Sequence, residues 1–324
     1  MKVLIADKLE SAGVEGIRAL GCETIYEPAA GAEGLAAAIA RHTPAVLVVR
    51  SSKVPAAALA STTGLKAIVR AGAGVDNIDV PAATAKGIAV ANCPGTNSIA
   101  VAELAMAHLL ACDRRLVDQT VEMRAGRWNK KEFSTGGRGL KGSTLGVIGL
   151  GAIGQAVAKR ALAFEMAVVG WDKFLTEPAA RALGIRWAGS DRAALLAMLP
   201  SCDAVSIHVA LVPETQRMAD AEFFAAMKPG ATFINTSRGG VVDEPAMLEA
   251  ARSKRLRLGL DVHAGQPSAP QADFSTPAAT IPASVLTHHC GASTDQAQRA
   301  VADETVRIIR VFKETGRLEN RVNG

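Results

Sequence analysis

A glycine-rich turn between two predicted strands constrains the fold of this chain more than any other feature. An apolar, β-prone run over 143–148 precedes Gly149-Leu150-Gly151-Ala152-Ile153-Gly154, and a good helix-forming segment over 155–164 follows it. A second predicted strand, 167–171, then ends at Asp172, which lies 23 positions after Gly149. An isolated G-x-G-x-x-G is a weak signal. Within a strand–helix–strand unit with an acidic residue at this distance, it predicts a dinucleotide-binding site.

Each part of this motif has its own physical task. Gly149 permits a tight turn, Gly151 lets the backbone approach a pyrophosphate, and Gly154 lets the helix pack close to the strand. The phosphates would meet the unpaired N–H groups at the start of the helix, which begins with Ala152 and Ile153. The acidic residue after the second strand would accept hydrogen bonds from the ribose hydroxyls of NAD and repel the extra phosphate of NADP. The motif therefore predicts that the chain binds NAD.

Length and composition fit a soluble enzyme of two domains, because a chain of 324 residues exceeds the roughly 150 residues of one domain. No segment offers the roughly 18 uncharged apolar residues of a membrane span. The chain enters a predicted strand at 2–6, which leaves no room for a signal peptide. The five cysteines are scattered, with no CxxC pair and no metal-ligand spacing. We expect free thiols in a reducing cytoplasm and no bound metal.

The net charge of +5 raises the question of a nucleic-acid partner. The one local concentration of basic residues, 124–141, holds six Lys and Arg, but Glu132 interrupts it and it is rich in glycine. A surface that binds a polyanion is usually denser in positive charge. We therefore expect a polar, solvated loop over 124–142, with neither nucleic acid nor a membrane as partner.

Strand and helix patterns alternate along the chain, which predicts parallel sheets covered by helices. Apolar strand-like runs occur at 3–6, 46–49, 67–69, 88–90, 204–209, 231–235, 258–262 and 284–287. Because the glycine motif lies in mid-chain, we expect an α/β protein with two doubly wound parallel-sheet domains. A Rossmann cofactor domain, 99–287, would be inserted into a flavodoxin-like substrate domain formed by 1–98 and a returning C-terminal helix within 288–324. The active site is expected in the cleft between them, at the carboxyl ends of the strands.

Two residues that follow predicted strands have the chemistry for hydride transfer to a 2-keto acid. Arg238 precedes two glycines, and its guanidinium fork suits a carboxylate. His289 lies between a strand and a helix start, where an imidazole can act as an acid or base near neutral pH. Its neighbour His288 should point the other way if the strand pleat continues. Taken alone, either histidine is more often structural.

Several motifs together identify a family. They occur in the order 70–79, 97–98 with 102–104, the glycine motif, 237–240 with 242–243, 260–262, and 291–294. In this order they resemble the D-isomer-specific 2-hydroxyacid dehydrogenases over the whole chain. Residues 70–104 look most similar to the branch that acts on 3-phosphoglycerate. The resemblance implies an NAD-dependent oxidoreductase that interconverts a D-2-hydroxy acid and its 2-keto acid.

The resemblance also implies roles for individual residues. Arg238 would bind the substrate carboxylate and carbonyl, and His289 would donate the proton. Cofactor contacts would come from the glycine motif and Asp172, joined by His208, Ser237 and Asp261, with Asp261 near the nicotinamide. The other substrate contacts implied are Arg50 and Arg70, which resemble the positions that reach a phosphate, and Gly72, Ala73, Gly74 and Asn97.

The chain departs from the family at one catalytic position. The family has a glutamate directly before a proline, a few residues after Asp-Val, but here Gln266 precedes Pro267. A glutamate would stabilise the imidazolium of His289 and raise its pKa by about 1–3 units, whereas glutamine adds no charge. Three possibilities stay open: a lower pH optimum, compensation by His263, or a reaction with little proton transfer, as in the similarly folded formate dehydrogenase.

These features give a leading function and several alternatives. The leading substrate pair is 3-phosphoglycerate and 3-phosphohydroxypyruvate, in serine biosynthesis. The alternatives are glycerate and hydroxypyruvate, a sulfolactate-type acid, formate-type chemistry, and a non-catalytic NAD-sensing protein similar to the corepressors of this family. By the resemblance we also expect a homodimer joined through the cofactor domains. Because the chain ends at Gly324, we expect a short form without a C-terminal regulatory domain.

Overall fold

The protein is described by a computed structural model that covers residues 1–29, 31–60, 62–267 and 271–324. Its chain divides into two compact units: the first contains 1–97 and 292–324, and the second contains 98–291. The boundaries expected from the sequence, after 98 and after 287, lie one and four residues from these. The second unit therefore includes the segment His288–Gly291.

The first unit is built on a five-stranded parallel sheet of order β2-β1-β3-β4-β5, which is the flavodoxin-like order. Its elements are β1 Lys2–Ile5, α1 Ser11–Ala19, β2 Glu23–Tyr26, α2 Gly31–His42, β3 Val46–Val49, α3 Ala56–Leu59, β4 Ala67–Arg70, α4 Val80–Ala85, β5 Ala89–Asn92 and, from the end of the chain, α13 Asp295–Thr315. The sequence pattern missed β2, because this edge strand is only partly buried and has no apolar run.

The C-terminal helix α13 belongs to this first unit, where it packs on α1. A Cβ at Gly13 would lie 2.9 Å from that of Ala302, and one at Gly16 would lie 2.8 Å from a methyl of Val306. The two glycines thus allow a close helix–helix approach. The apolar pattern of the sequence predicts this helix over 298–314. It begins three residues earlier, at Asp295, because the Thr294 hydroxyl caps it by accepting from the Ala297 N–H at 3.2 Å.

The second unit has a seven-stranded parallel sheet of order β12-β11-β10-β9-β6-β7-β8. Its elements are α5 Ser98–Arg114, α6 Leu116–Arg124, α7 Lys130–Phe133, β6 Thr144–Ile148, α8 Ala152–Ala163, β7 Ala167–Trp171, α9 Glu177–Ala182, β8 Arg186–Gly189, α10 Arg192–Met198, β9 Ala204–Ile207, α11 Ala221–Ala226, β10 Thr232–Asn235, α12 Glu244–Ser253, β11 Arg257–Leu260 and β12 Val285–Leu286. The strand order reverses at β6, as in dinucleotide-binding Rossmann domains. The predicted fold class is confirmed in both units.

The segment expected as a polar loop over 124–142 is not entirely a loop. It contains the short helix α7, which is capped by the Asn129 side chain accepting from the Glu132 N–H at 3.3 Å. The sequence signal for α7 was weak because none of its residues is buried. The four prolines in the polar run 267–282 predict a surface loop. In the structure this segment contains a 3₁₀ turn, Pro277–Thr280, and its residues 268–270 lie outside the described part of the chain.

Among the described residues, no helix has the length and apolar character needed to cross a bilayer. The same residues contain no cluster of three or more His, Cys, Asp and Glu side chains that could hold a metal ion. All five cysteines have free thiols; four are buried and Cys290 is exposed.

Candidate active site

Most of the predicted site residues of the second unit lie at one edge of its sheet. All seven strands are parallel, so their carboxyl ends meet at the same edge. Successive strands along the sheet are followed there by these residues: His289 after β12, Gln266 after β11, Arg238 after β10, His208 after β9, Gly149 after β6 and Asp172 after β7. The sheet thus brings two charged, one amide and two imidazole side chains to the edge that carries the glycine turn.

The three glycines of the turn are required for different reasons. Gly149 has a φ of +88°, and a Cβ there would lie 2.9 Å from the carbonyl carbon of His208. A Cβ at Gly154 would lie 1.9 Å from the Gly149 carbonyl oxygen. Gly151 differs, because its φ is −68° and a Cβ there would have no described atom within 4 Å. Packing within the chain does not explain Gly151, and the open space in front of it fits a pyrophosphate.

The start of α8 fits the same ligand. Gly151 is the N-cap residue and supplies no side-chain cap, so the first N–H groups of the helix, at Ala152 and Ile153, face an uncapped terminus. Asp172 is held beside this turn, because its Oδ2 accepts from the Leu150 N–H at 2.6 Å. Its Oδ1 accepts from the N–H groups of Phe174 and Leu175. A carboxylate has about four acceptor positions, so capacity remains for a ribose hydroxyl.

His208, at the same edge of the sheet, has a neutral imidazole. Its Nε2 lies 2.8 Å from the Ser206 hydroxyl, and its Nδ1 is buried without a described hydrogen-bond partner. Burial lowers the pKa of this imidazole to about 3, because the protonated form would lose its hydration. His208 therefore cannot act as a cation toward a phosphate at neutral pH.

The turn that carries Arg238 is closed by Asn235. The Asn235 Oδ1 accepts from both the N–H and the hydroxyl of Ser237, at 2.9 and 2.8 Å, while its Nδ2 donates to the Arg238 carbonyl at 3.0 Å. A Cβ at Gly239 would lie 2.4 Å from the His263 carbonyl oxygen, so only glycine fits after the arginine. The Ser237 hydroxyl, predicted to contact the cofactor, is directed inward to Asn235.

His289 and Gln266 are in direct contact. The Gln266 Nε2 lies 2.6 Å from the His289 Nδ1, and the Gln266 Oε1 accepts from the His263 N–H at 3.0 Å. A backbone N–H can only donate, so it fixes which end of the amide is oxygen. The Gln266 Nε2 must then donate to Nδ1, which leaves the proton of the neutral imidazole on Nε2.

The backbone at His289 is left-handed, with a φ of +53°. β12 ends at Leu286, so the strand pleat does not continue through His288, and the condition on which the two histidines were expected to point in opposite directions is not met. Both side chains are exposed. His263, considered above as a compensating group, donates through its N–H to Gln266 and directs its ring to the Thr287 carbonyl.

Asp261 has a role that the sequence did not reveal. It is 1% exposed, and its carboxylate accepts from the Thr287 hydroxyl at 2.6 Å and from the N–H groups of Cys290 and Gly291 at 2.9 Å. Its carbonyl accepts from the His289 N–H at 2.8 Å. The described contacts of Asp261 thus organise the turn that carries His289. The predicted place near a nicotinamide stays a prediction.

In the first unit, Arg50 and Arg70 lie at the carboxyl ends of the paired strands β3 and β4. The Arg50 Nη1 donates to the Gln298 Oε1 at 2.6 Å, which holds the guanidinium without neutralising it. The Asp7 carboxylate accepts from three consecutive N–H groups that begin at Arg50, at 2.6 to 2.9 Å, and so fixes the loop. Neither Asp7 nor Gln298 was suggested by the sequence.

The glycine-rich turn after β4 makes room for a cation. Gly72 has a φ of +147°, and a Cβ there would lie 1.7 Å from the Arg70 Nη1, so the guanidinium lies against the bare glycine. The Asn92 side chain donates to the Ala73 carbonyl and anchors the turn. The Asn97 Oδ1 is buried and has no described hydrogen-bond partner. Asn97 thus does not cap α5 through this atom, which is available to a ligand.

Comparison with known proteins agrees with this geometry. Residues 106–291 match the family model described as D-isomer specific 2-hydroxyacid dehydrogenase, NAD binding domain. The chain is 42% identical over 273 residues to a hydroxypyruvate reductase of Thermotoga maritima, covering 84% of this chain and 85% of that protein. It is 40% identical over 271 residues to a D-3-phosphoglycerate dehydrogenase of Methanocaldococcus jannaschii, covering 82% of this chain and 50% of that protein.

A solved structure, the TT0316 protein from Thermus thermophilus, superposes with a TM-score of 0.86 at 32% identity and covers 99% of this chain and 100% of that one. The lengths of the relatives differ. The chain spans about half the length of the phosphoglycerate dehydrogenases that it matches, but most of the hydroxypyruvate reductase.

Proposed function

Since the chain belongs to the D-isomer specific 2-hydroxyacid dehydrogenase family and its cofactor is NAD, we propose that it interconverts 3-phosphoglycerate and 3-phosphohydroxypyruvate. The observation that carries the substrate choice is the pair Arg50 and Arg70 at the ends of adjacent strands, with Arg50 held by a neutral amide. Two guanidinium groups suit a phosphate, which accepts several charge-assisted hydrogen bonds.

The residues of the second unit would carry the chemistry. The reduced cofactor supplies the hydride, and the N–H groups at the start of α8 would hold its pyrophosphate. Arg238 would bind the substrate carboxylate and polarise the carbonyl that receives the hydride. His289 would donate a hydrogen bond from Nε2 to the oxygen on which negative charge develops, since Gln266 donates to its Nδ1.

Gln266 does not stabilise a protonated His289 as the glutamate of the family pattern would. A protonated imidazole carries hydrogens on both nitrogens, but Nδ1 faces the Nε2 of an amide, which also carries hydrogens. The pair therefore favours the neutral ring. General acid catalysis in ketone reduction would improve as the pH falls, because protons then convert the neutral ring to the donor form.

A second candidate is the reduction of hydroxypyruvate to glycerate. It is favoured by the relative from Thermotoga maritima, a hydroxypyruvate reductase that the chain matches along 85% of its length. The two substrates differ by the phosphate, so the role of Arg50 decides between them.

Substitution of Arg50 tests this choice. Arg50→Ala should raise KM for 3-phosphohydroxypyruvate about 10- to 100-fold, because a hydrogen bond to a charged group contributes about 1.5–3 kcal/mol. KM for hydroxypyruvate should stay within about twofold. The matched control is Arg18→Ala, which removes an exposed cation of the same unit that pairs with Glu15. An unchanged preference in Arg50→Ala would overturn the phosphate assignment.

We further propose that the protein is a homodimer joined through its second units and acts in the cytoplasm, in serine biosynthesis. The support for the dimer is α6, on which no residue is buried and four large apolar side chains are exposed: Leu116, Val117, Val121 and Met123. Trp128, which follows this helix, is also exposed. Such a surface is typical of an interface.

A further inference from the structure

A buried chain of hydrogen bonds lies behind the turn that carries His289. The Thr287 hydroxyl is 2.6 Å from the Asp261 Oδ1 and 3.0 Å from the His108 Nε2. A carboxylate only accepts, so the hydroxyl proton goes to Asp261 and the hydroxyl oxygen must accept from His108. His108, on α5, is 1% exposed. The direction of every bond in this chain is thereby fixed, from His108 through Thr287 to Asp261.

The other polar groups of Thr287 are also engaged. Its N–H donates to the Leu260 carbonyl at 2.9 Å, and its carbonyl accepts from the His263 Nε2 at 3.0 Å. Hydrogen bonds thus hold the N–H, the hydroxyl and the carbonyl of Thr287. This residue lies two positions before His289. Since Asp261 also binds the N–H groups that follow Thr287, the whole turn is tied to one buried carboxylate.

Two glycines show that the surroundings are shaped for this arrangement. A Cβ at Gly259, on β11, would lie 2.5 Å from the Ile234 Cδ1 and 2.9 Å from the His108 Cβ, so glycine here lets α5 lie close to the strand. A Cβ at Gly291 would lie 3.1 Å from the Asp261 Oδ2 and would crowd its bond to the Gly291 N–H.

The turn needs such support because His289 is left-handed. A non-glycine residue with positive φ is strained and persists only where its surroundings hold it. If the turn relaxed to an extended conformation, the imidazole would lose its position against Gln266. Precise placement matters because a displacement of about 1 Å at a reacting group can cost about 100-fold in rate.

We propose that His108 is a positioning residue for hydride transfer: it donates to Thr287, which orients the Asp261 carboxylate, which holds His289 in its left-handed turn. The kinetic part of this proposal rests on the proposed function; the structural part does not. Burial lowers the pKa of His108, so the ring stays neutral and its Nε2 hydrogen is a permanent donor.

The test compares three variants on one helix. His108→Leu removes the donor, and His108→Gln offers an amide N–H in its place. Leu109→Ala is the control, because Leu109 is also buried on α5 but belongs to the apolar core. Each is measured for kcat and KM with hydroxypyruvate and 3-phosphohydroxypyruvate, for NADH affinity, for Tm, and for hydrogen exchange of the Cys290 and Gly291 amides.

We expect His108→Leu to lower kcat about tenfold or more while NADH affinity stays within about twofold. Exchange at Cys290 and Gly291 should accelerate at least tenfold, and His108→Gln should restore much of both. Leu109→Ala should lower Tm without a selective change at these amides. Thr287→Val, which removes the bond to His108 and also the bond to Asp261 with little change in volume, should produce effects at least as large if His108→Leu does not fold.

Unchanged exchange at the two amides in His108→Leu or Thr287→Val would overturn the proposal. So would a loss of kcat that follows Tm as it does in Leu109→Ala. If the wild-type protein reduces no 2-keto acid, the proposed function fails, but the exchange measurement still decides whether His108 holds the turn.

Discussion

At the residue scale, the contact between Gln266 and His289 determines how this site handles a proton. The sequence located both residues, and it showed that an amide replaces the acid of the family. It could not show how the amide is oriented, because that depends on the His263 N–H, a backbone group whose direction follows from the fold. The structure adds that the amide of Gln266 donates to the His289 Nδ1, so the neutral imidazole carries its hydrogen on Nε2.

Gln266→Glu tests this tautomer. A carboxylate can accept from Nδ1–H, so it favours the protonated ring that donates the proton. The upper pH limit of ketone reduction should move upward by about 1–3 pH units. The measurement is kcat/KM from pH 5 to 9, beside Gln266→Ala, which adds no charge. A profile in Gln266→Glu that matches the wild type would show that position 266 does not tune the acid.

The positioning residues around the site were the hardest to predict. Asp7, Gln298 and Thr287 are common polar residues whose spacing in the sequence carries no signal. Asp7 and Gln298 act because elements far apart in the chain place them beside Arg50. Thr287 acts through Asp261, which lies 26 residues earlier in the chain. By contrast, the glycines of the turns could be predicted, because a tight turn or a close approach restricts the residue type locally.

At the element scale, the turn between β6 and α8 separates two kinds of glycine. Gly154 is required by packing against the Gly149 carbonyl, whereas Gly151 faces open space. The sequence motif treats both as parts of one cofactor site. The structure distinguishes them, because packing within the chain requires glycine at position 154 but not at position 151.

Alanine should therefore lower the stability of the protein at position 154 and its affinity for NADH at position 151. Gly154→Ala should destabilise the protein by about 3 kcal/mol, because a backbone oxygen cannot move aside as a side chain can. Gly151→Ala should keep Tm within about 2 °C but weaken NADH binding about tenfold or more, because the methyl group enters the space for the pyrophosphate. Thermal unfolding and fluorescence titration with NADH measure both. Unchanged NADH affinity in Gly151→Ala would contradict a pyrophosphate at this position.

The strands and long helices were largely predictable, and the exceptions have a common cause. The strands that the pattern missed, β2 and β8, lie at sheet edges and are only partly buried. The periodicity of apolar residues reports burial, so it is weakest where an element has one exposed side. The same reasoning applies to α6, whose apolar residues do not face a core.

Substitutions on α6 test the proposed dimer. Val121→Glu should disrupt an interface through this helix, because an unpaired charge would be buried there. Sedimentation velocity should show a dimer for the wild type and a monomer for the variant. Glu122→Gln, on the same helix, is a control for the change in charge. A monomeric wild type at micromolar concentration would exclude the proposal.

At the scale of the whole molecule, buried neutral histidines make the folded state sensitive to acid. The pKa of His208 falls to about 3 on folding, from about 6.5 in an unfolded chain. Between these values the unfolded state binds more protons, so stability rises with pH and is lost as the pH falls from 6.5 toward 3. The lowered pKa values of Asp203 and Asp220 act in the same direction at lower pH.

His208→Gln isolates the histidine contribution. The wild type should lose up to about 1.4 kcal/mol of unfolding free energy per pH unit from this one group below pH 6.5. The variant lacks the titrating ring, so its slope between pH 6.5 and 5 should be shallower by that amount. Urea unfolding at several pH values, without cofactor, provides the measurement. Equal slopes in the two proteins would mean that His208 is already solvated in the native state.

The reaction that we propose for this chain is the reduction of a phosphorylated 2-keto acid with NADH. The most direct measurement is NADH oxidation by the wild-type protein, from pH 5 to 9, with 3-phosphohydroxypyruvate, hydroxypyruvate, sulfopyruvate, pyruvate and glyoxylate. We expect turnover with the highest kcat/KM for 3-phosphohydroxypyruvate, increasing toward low pH. Higher kcat/KM for hydroxypyruvate would contradict the phosphate assignment, and turnover of none of these acids while NADH still binds would contradict the reaction itself.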